Sequence, residues 1–171
     1  MVLGGVSSGK SRFAEGLVTQ SGLAQHYIAT AQAFDAEMAA KIAKHQQDRG
    51  ENWVTTEAPL TLTEAFDTIP ENAAILVDCL TLWLSNMMLN DPETIFTFDA
   101  LVTKMRSHSG PVVCVSNEVG LSGVPENALA RRFQRLQGDL NQRVAEAADL
   151  VVLVTAGLPL VLKGTSPQGQ P

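Results

Sequence analysis

Gly4-Gly5-Val6-Ser7-Ser8-Gly9-Lys10-Ser11 decides the reading of this chain. The stretch fits G-x-x-x-x-G-K-[ST] at every position. Its glycines let the backbone bend so that successive N–H groups point at phosphate oxygens, and the helix that follows presents its positive end. Lys10 is placed to reach β and γ phosphates, and Ser11 to offer a hydroxyl to Mg²⁺. Met1-Val2-Leu3 before the loop reads as a strand. Phe13, Ala14, Leu17 and Val18 after it share one helical face, which Gly22 ends. Strand, glycine loop and helix together predict a nucleoside triphosphate on Gly4, Gly5, Val6, Ser7, Ser8, Gly9, Lys10 and Ser11.

Outward from the loop, apolar runs alternate with helical patterns. His26–Ala31 reads as a short strand, Asp35 as the N-cap of a helix to about Arg49, and Trp53–Glu57 as extended chain. A short helix is predicted around Thr63–Asp67. Ala73–Cys79 and Pro111–Ser116 are nearly continuous apolar runs, the pattern of central parallel strands buried on both faces. Leu80–Leu89 is helical or loop-like, and Asp99–His108 is predicted as an amphipathic helix. The best helix is Glu126–Ala147, with Leu129, Phe133, Leu136, Leu140 and Val144 as its inward stripe. Leu150–Thr155 and Leu160–Lys163 are the last strands. The expected fold is α/β: a P-loop NTPase (RecA-like) layered fold with a mostly parallel central sheet flanked by helices. Residues 1–163 form one domain in this reading, and the Gly- and Pro-rich 164–171 a flexible tail.

Composition narrows the partners. The 171 residues are 45% hydrophobic and 18% charged, with a net charge of −6, which disfavours a surface built to grip a nucleic-acid backbone. No apolar stretch approaches the ~20 residues that span a bilayer, and the glycine loop follows the first residues directly, so no signal peptide is expected. Cys79 and Cys114 lie singly in apolar runs, as inert thiols of a reducing cytoplasm would.

Ligands in open α/β sheets sit beyond the carboxyl ends of the strands. Asp78, closing Ile75-Leu76-Val77, is there the candidate to hold Mg²⁺ with Ser11, although a strand-ending Asp also caps helices. Thr30, Ala31 and Gln32 should line the same crevice, as should Ser116, Asn117 and Glu118. His26 and His108 look structural. His45 lies one helical turn after Lys41 and one before Arg49. By spacing alone it is a helix-surface histidine.

Several segments are more specific. They are H-x-x-x-R at 45–49 followed by WVTTE at 53–57, VDCLTLWLSN at 77–86, SNEVG at 116–120, VPEN at 124–127, and LAR at 129–131. In this order they resemble the bifunctional adenosylcobinamide kinase / adenosylcobinamide-phosphate guanylyltransferase family of cobalamin biosynthesis, from Gly4 to about Lys163. The resemblance implies phosphorylation of the aminopropanol hydroxyl of adenosylcobinamide by ATP or GTP. It then implies GMP transfer from GTP to the cobinamide phosphate through a covalent histidine, matched here by His45. Lys10 and Asp78 join His45 as the catalytic set. Arg49 and Glu57 join the nucleotide contacts, Glu57 as a guanine reader. Lys41, Glu118 and Arg131 are candidates for substrate phosphate. A cytoplasmic homo-oligomer, a trimer in many members, is implied as well. Ser7 stands where the family commonly has arginine, and Gly50 where proline is frequent. The first strand is short for the family, as a late start codon or a clipped chain would make it. A simple P-loop kinase without covalent intermediate, or a nucleotide switch module, are the competing readings.

Overall fold

The structure, a computed structural model, describes residues 1–33, 36, 40, 50, 52–91 and 98–165. Strand β1 (Val2–Gly4) leads through the glycine loop into helix α1 (Lys10–Thr19), and β2 spans Gln25–Ala29. Next come β3 (Trp53–Glu57), the one-turn helix α2 (Leu62–Ala65) with a 3₁₀ turn behind it, β4 (Ala74–Asp78) and α3 (Leu80–Asn90). Helix α4 (Asp99–Ser107), β5 (Val112–Asn117), α5 (Ala128–Ala147), β6 (Val151–Thr155) and β7 (Leu158–Lys163) complete the chain. Of the helix expected from Asp35 to Arg49 only residues 36 and 40 are described, both helical, and the tail after residue 165 lies outside the described residues.

The seven strands among the described residues form one sheet in the order β3-β2-β4-β5-β1-β6-β7. Every pairing is parallel except β6 with β7. The short β1 is thus held between β5 and β6, with Gly4 opposite both Asn117 and Val154. This is the layered P-loop architecture expected from the glycine motif.

Side chains alternate across the pleat and fill two cores. Val2, Leu76, Val115 and Val152 face α1, whose Ala14 and Val18 are fully buried against them. Leu3, Ile75, Val77 and Cys114 face the other way, onto Leu80, Leu84, Leu101, Leu140 and Val144 of α3, α4 and α5. Burying each such aliphatic side chain contributes about 1.5–3 kcal/mol. Double-sided coverage explains why these strands read as continuous apolar runs.

Helix α5 differs from its expected stripe. Its buried residues are Gln137, Leu140, Asn141 and Val144, whereas Leu129 is 45% exposed. Gln137 and Asn141 touch Ser116 near the carboxyl end of β5. Leu129 is eight residues further toward the helix start, roughly 12 Å along the axis, and so lies past the end of that strand. The helix starts at Ala128 rather than Glu126, capped by the Asn127 side chain, which accepts from the Leu129 and Ala130 N–H groups.

Two strand ends also shift. β2 stops at Ala29, two residues before its predicted end. β7 begins at Leu158, turning back after Ala156 and Gly157, both at positive φ (52° and 78°), the primed-turn geometry of a tight hairpin. Gly164, expected to open the flexible tail, is packed: a Cβ there would collide with the Asp149 carbonyl.

Candidate nucleotide site

The loop between β1 and α1 sits at the carboxyl edge of the sheet, where the fold places ligands. Gly4 has no room for a side chain, since a Cβ would lie 2.6 Å from the Val154 carbonyl oxygen and closer still to Ser8 Oγ. Ser7 and Gly9 take positive φ (56° and 95°), turning the chain tightly into the helix. The loop is closed from within, by Ser8 N–H to Gly5 O at 3.3 Å, and from the β6–β7 turn, by Gly157 N–H to Ser8 O at 2.9 Å. The Lys10 ammonium reaches across it to donate to Gly5 O at 3.0 Å. The first N–H groups of α1 have no intrahelical acceptors, and no acidic residue occupies its first turn. Ser8 Oγ is buried with no hydrogen-bond partner among the described residues. Gly5, Val6 and Ser7 form the exposed rim. A cation, helix-end N–H groups and an open rim make a cradle for anionic oxygens.

Asp78 ends β4, half-buried, two strands from β1. At the ~4.8 Å spacing of strands that is roughly 10 Å sideways. The neighbouring Cys79 thiol is pushed up to about 11, by burial first and by the Asp78 carboxylate next, with Lys10 pulling weakly the other way. Cys79 therefore lies within the fields of both Asp78 and Lys10, and it stays a protonated, inert thiol. Cys114 is also pushed up to about 11 by burial. Ser11 opens α1 beside Lys10. Among the described residues no three His, Cys, Asp or Glu side chains cluster to hold a metal. Mg²⁺ ordinarily needs only one or two protein oxygens beside phosphate and water, and the Ser11 hydroxyl and Asp78 carboxylate are hard donors of that kind.

Thr30 is placed differently from the sequence expectation. It is fully buried, its hydroxyl donates to Cys79 O and accepts from Cys79 N–H, both at 2.7 Å, and it faces the sheet rather than a ligand. Ala31 and Gln32 follow it, half-buried, at the carboxyl edge. Glu57 is exposed at the end of β3, four strand spacings from β1, or roughly 19 Å. Arg131 turns back on its own loop, its guanidinium donating to Pro125 O at 3.0 Å and to Glu126 O. It holds the entry to α5 rather than reaching for phosphate. Glu118 directly follows β5, its N–H donates to Gly4 O at 3.2 Å, and its carboxylate accepts from Gly120 N–H at 2.7 Å. Lys41, His45 and Arg49 lie outside the described residues.

Ser116, expected with Asn117 to line the crevice, is instead fully buried in a polar cluster behind the site that sequence reasoning missed. Ser116 Oγ donates to Asn141 Oδ1 (2.7 Å), Gln137 Nε2 donates to Ser116 Oγ (2.9 Å) and Asn141 Oδ1 (3.0 Å), and Asn141 Nδ2 donates to Asn117 O (3.2 Å). Thr81 Oγ1 accepts from Asn117 N–H at 2.7 Å. This ties the end of β5 to α3 and α5. Nearby, Asn86 Nδ2 donates to Thr30 O at 2.7 Å and Pro59 O at 3.1 Å, fixing the chain after β2 and β3. The available signal was Gln137 and Asn141, a polar i, i+4 pair on a helix otherwise read by its leucines. His26 and His108 belong to the opposite edge. His26 is buried near the start of β2, and His108 Nε2 lies 2.8 Å from Ala73 O, just before β4.

Comparison with known proteins covers almost the whole chain. A family model described as cobinamide kinase / cobinamide phosphate guanyltransferase matches residues 1–162. A Pseudomonas aeruginosa bifunctional adenosylcobalamin biosynthesis protein CobP is 46% identical over 167 residues, 96% of each chain. The Salmonella typhimurium bifunctional adenosylcobalamin biosynthesis protein CobU is 39% identical, covering 95% of this chain and 98% of its own. Among solved structures, a Pyrococcus horikoshii OT3 protein aligns at a TM-score of 0.56 and 9% identity over 99% of this chain and 87% of its own, a likeness of fold. None of the helices among the described residues is long and apolar enough to cross a membrane.

Proposed function

Because the chain belongs to the cobinamide kinase / cobinamide phosphate guanyltransferase family, we propose that it runs both reactions on adenosylcobinamide. The aminopropanol hydroxyl takes the γ-phosphoryl group of ATP or GTP. GMP from a GTP then passes through His45 to the cobinamide phosphate, giving adenosylcobinamide-GDP and pyrophosphate.

The observation that carries the reading is the closed loop of Gly4–Ser11 with the Lys10 ammonium drawn across it. Lys10 and the first N–H groups of α1 bind and orient the phosphates, which is most of what phosphoryl transfer asks of a protein. Ser11 and Asp78 would hold Mg²⁺, which when bound with ATP or GTP neutralises charge on the phosphate oxygens. In the second reaction the His45 imidazole forms an N–P bond at the α-phosphorus as the bond to the departing pyrophosphate oxygen breaks. A phosphate oxygen of the substrate then displaces the imidazole, and His45 is regenerated. Lys41 and Arg49, one predicted helical turn on either side, would offset charge on the leaving pyrophosphate. Glu57 is suited to accept from the guanine N1–H and N2–H₂ edge. The working form would be a cytoplasmic homo-oligomer, with a trimer as the expected count.

α-Labelled GTP tests the covalent half. The wild type should retain acid-labile, base-stable label, and His45→Ala should lose it while still phosphorylating cobinamide. Lys10→Ala should lose both activities. A wild type that phosphorylates cobinamide but never takes label would be a simple kinase.

A further inference from the structure

The hydroxyl that attacks the γ-phosphorus must lose its proton, and the kinase half of the proposed function names no acceptor for it. Among the described residues the sheet order decides which carboxylate at the strand ends stands close enough. Glu57 is four strand spacings from β1, roughly 19 Å, and Asp78 is two, roughly 10 Å, with its metal-holding role already given. Glu118 alone follows β5, the strand between Asp78 and the glycine loop, one spacing of ~4.8 Å from β1. Its N–H is bonded to the Gly4 carbonyl at 3.2 Å, so its backbone position is fixed to the first residue of the loop. Gly120 N–H supplies the only hydrogen bond to its carboxylate among the described residues, and goes to Oε1. Oε2 accepts no hydrogen bond among the described residues, and Glu118 is only half-buried. The residues beneath it are held by the Ser116–Asn141–Gln137 cluster and by Thr81, so the platform is rigid. The two described histidines near strand ends, His26 and His108, lie at the other edge of the sheet.

We propose that Glu118 is the general base of the kinase step. Its carboxylate takes the proton of the aminopropanol hydroxyl as that oxygen bonds to the γ-phosphorus. The bond from the γ-phosphorus to the β,γ-bridging oxygen breaks, and its electron pair leaves with the nucleoside diphosphate. The proton stays on Glu118 until solvent removes it. Guanylylation of His45 has a neutral imidazole as nucleophile and needs no such acceptor, so the two reactions separate at this residue. The inference rests on the kinase reading above.

Glu118→Gln keeps the size and the Gly120 contact but cannot take the proton. With γ-labelled ATP and cobinamide its kcat should fall about 10²–10⁴-fold, the usual worth of a positioned base. KM for cobinamide, nucleotide affinity and His45 labelling by α-labelled GTP should stay within about threefold. In Glu118→Ala, added formate should restore turnover. Glu126→Gln, on the same loop, is the control and should keep full activity. A Glu118→Gln kcat within tenfold of wild type overturns the proposal. So does a parallel loss of kinase turnover, nucleotide affinity and labelling, which would mark a structural residue. A wild type that takes label from GTP but phosphorylates no cobinamide would instead remove the kinase reading on which the role depends.

Discussion

Gln137 and Asn141 are both buried, both polar and one turn apart, yet their removal should cost very different amounts. Gln137→Met keeps the volume and removes two hydrogen bonds, to Ser116 Oγ and Asn141 Oδ1. Neither partner is stranded, because Ser116 Oγ still donates to Asn141 Oδ1 at 2.7 Å. The two bonds are worth about 0.5–1.5 kcal/mol each. Against them stands Gln137 Oε1, buried with no donor among the described residues, whose desolvation costs about 1–3 kcal/mol. The terms nearly cancel, and the net change should lie within ~1 kcal/mol. Asn141→Leu weakens three groups: the Ser116 hydroxyl keeps only the long 3.4 Å contact with Thr81 Oγ1, Gln137 Nε2 loses one of its two acceptors, and the Asn117 carbonyl loses its side-chain donor. Two to three poorly paired buried groups amount to about 3–5 kcal/mol. At 2–4 °C per kcal/mol for a chain of this size, Tm should drop by about 6–20 °C in Asn141→Leu and by no more than ~4 °C in Gln137→Met. Thermal melts and urea titrations of the three proteins decide it. Equal losses in both variants would refute the accounting of stranded partners.

Gly4→Ala should abolish nucleotide binding, because its Cβ meets the Val154 carbonyl and Ser8 Oγ, both fixed in the sheet and loop. Gly157→Ala has open space around the new Cβ and should cost only the ~1–2 kcal/mol of holding a side chain at φ 78°, with nucleotide affinity within a few-fold by titration calorimetry. Burial, with His108 adding to it, holds the His26 pKa below its ordinary 6.5, so the folded state favours the neutral ring. The unfolded chain binds the proton more readily, and stability should decline as the pH falls from 6.5 toward the folded-state pKa. Melts of His26→Leu across that range should show a shallower decline than wild type, and parallel curves would contradict it.

The parallel strands were legible because double-sided burial writes itself as unbroken apolar runs, as in Ala73–Cys79. The glycine loop was legible because each of its positions answers a backbone demand, such as the lack of space at Gly4. Less was legible where a polar side chain serves the fold. Thr30 looked like a ligand contact by following a strand, but its hydroxyl closes on Cys79 within the core. Arg131 was a phosphate candidate through its match to a family segment, but two carbonyls of its own loop take its guanidinium. Helix α5 was read from its leucines, and the register that buries Gln137 depends on where β5 ends, which is a tertiary fact. β7 was found without its direction, since exposed Leu158, Leu160 and Leu162 carry no sign of antiparallel pairing.

The position of β1 has a consequence for how the chain is made. β1 is a central strand, and both its neighbours follow it at long range in the sequence: β5 at 112–117 and β6 at 151–155. The bond from Gly157 to Ser8 spans 149 residues. At roughly 5–20 residues per second, the glycine loop waits about 7–30 s for the turn that closes it. One edge of its strand waits for β5 and the other for β6, and loop-closure entropy makes these distant pairings slow to form. The nucleotide cradle is completed long after its motif has been made, so a chain cut short before β6 would carry the whole motif and still lack the partner that seats it.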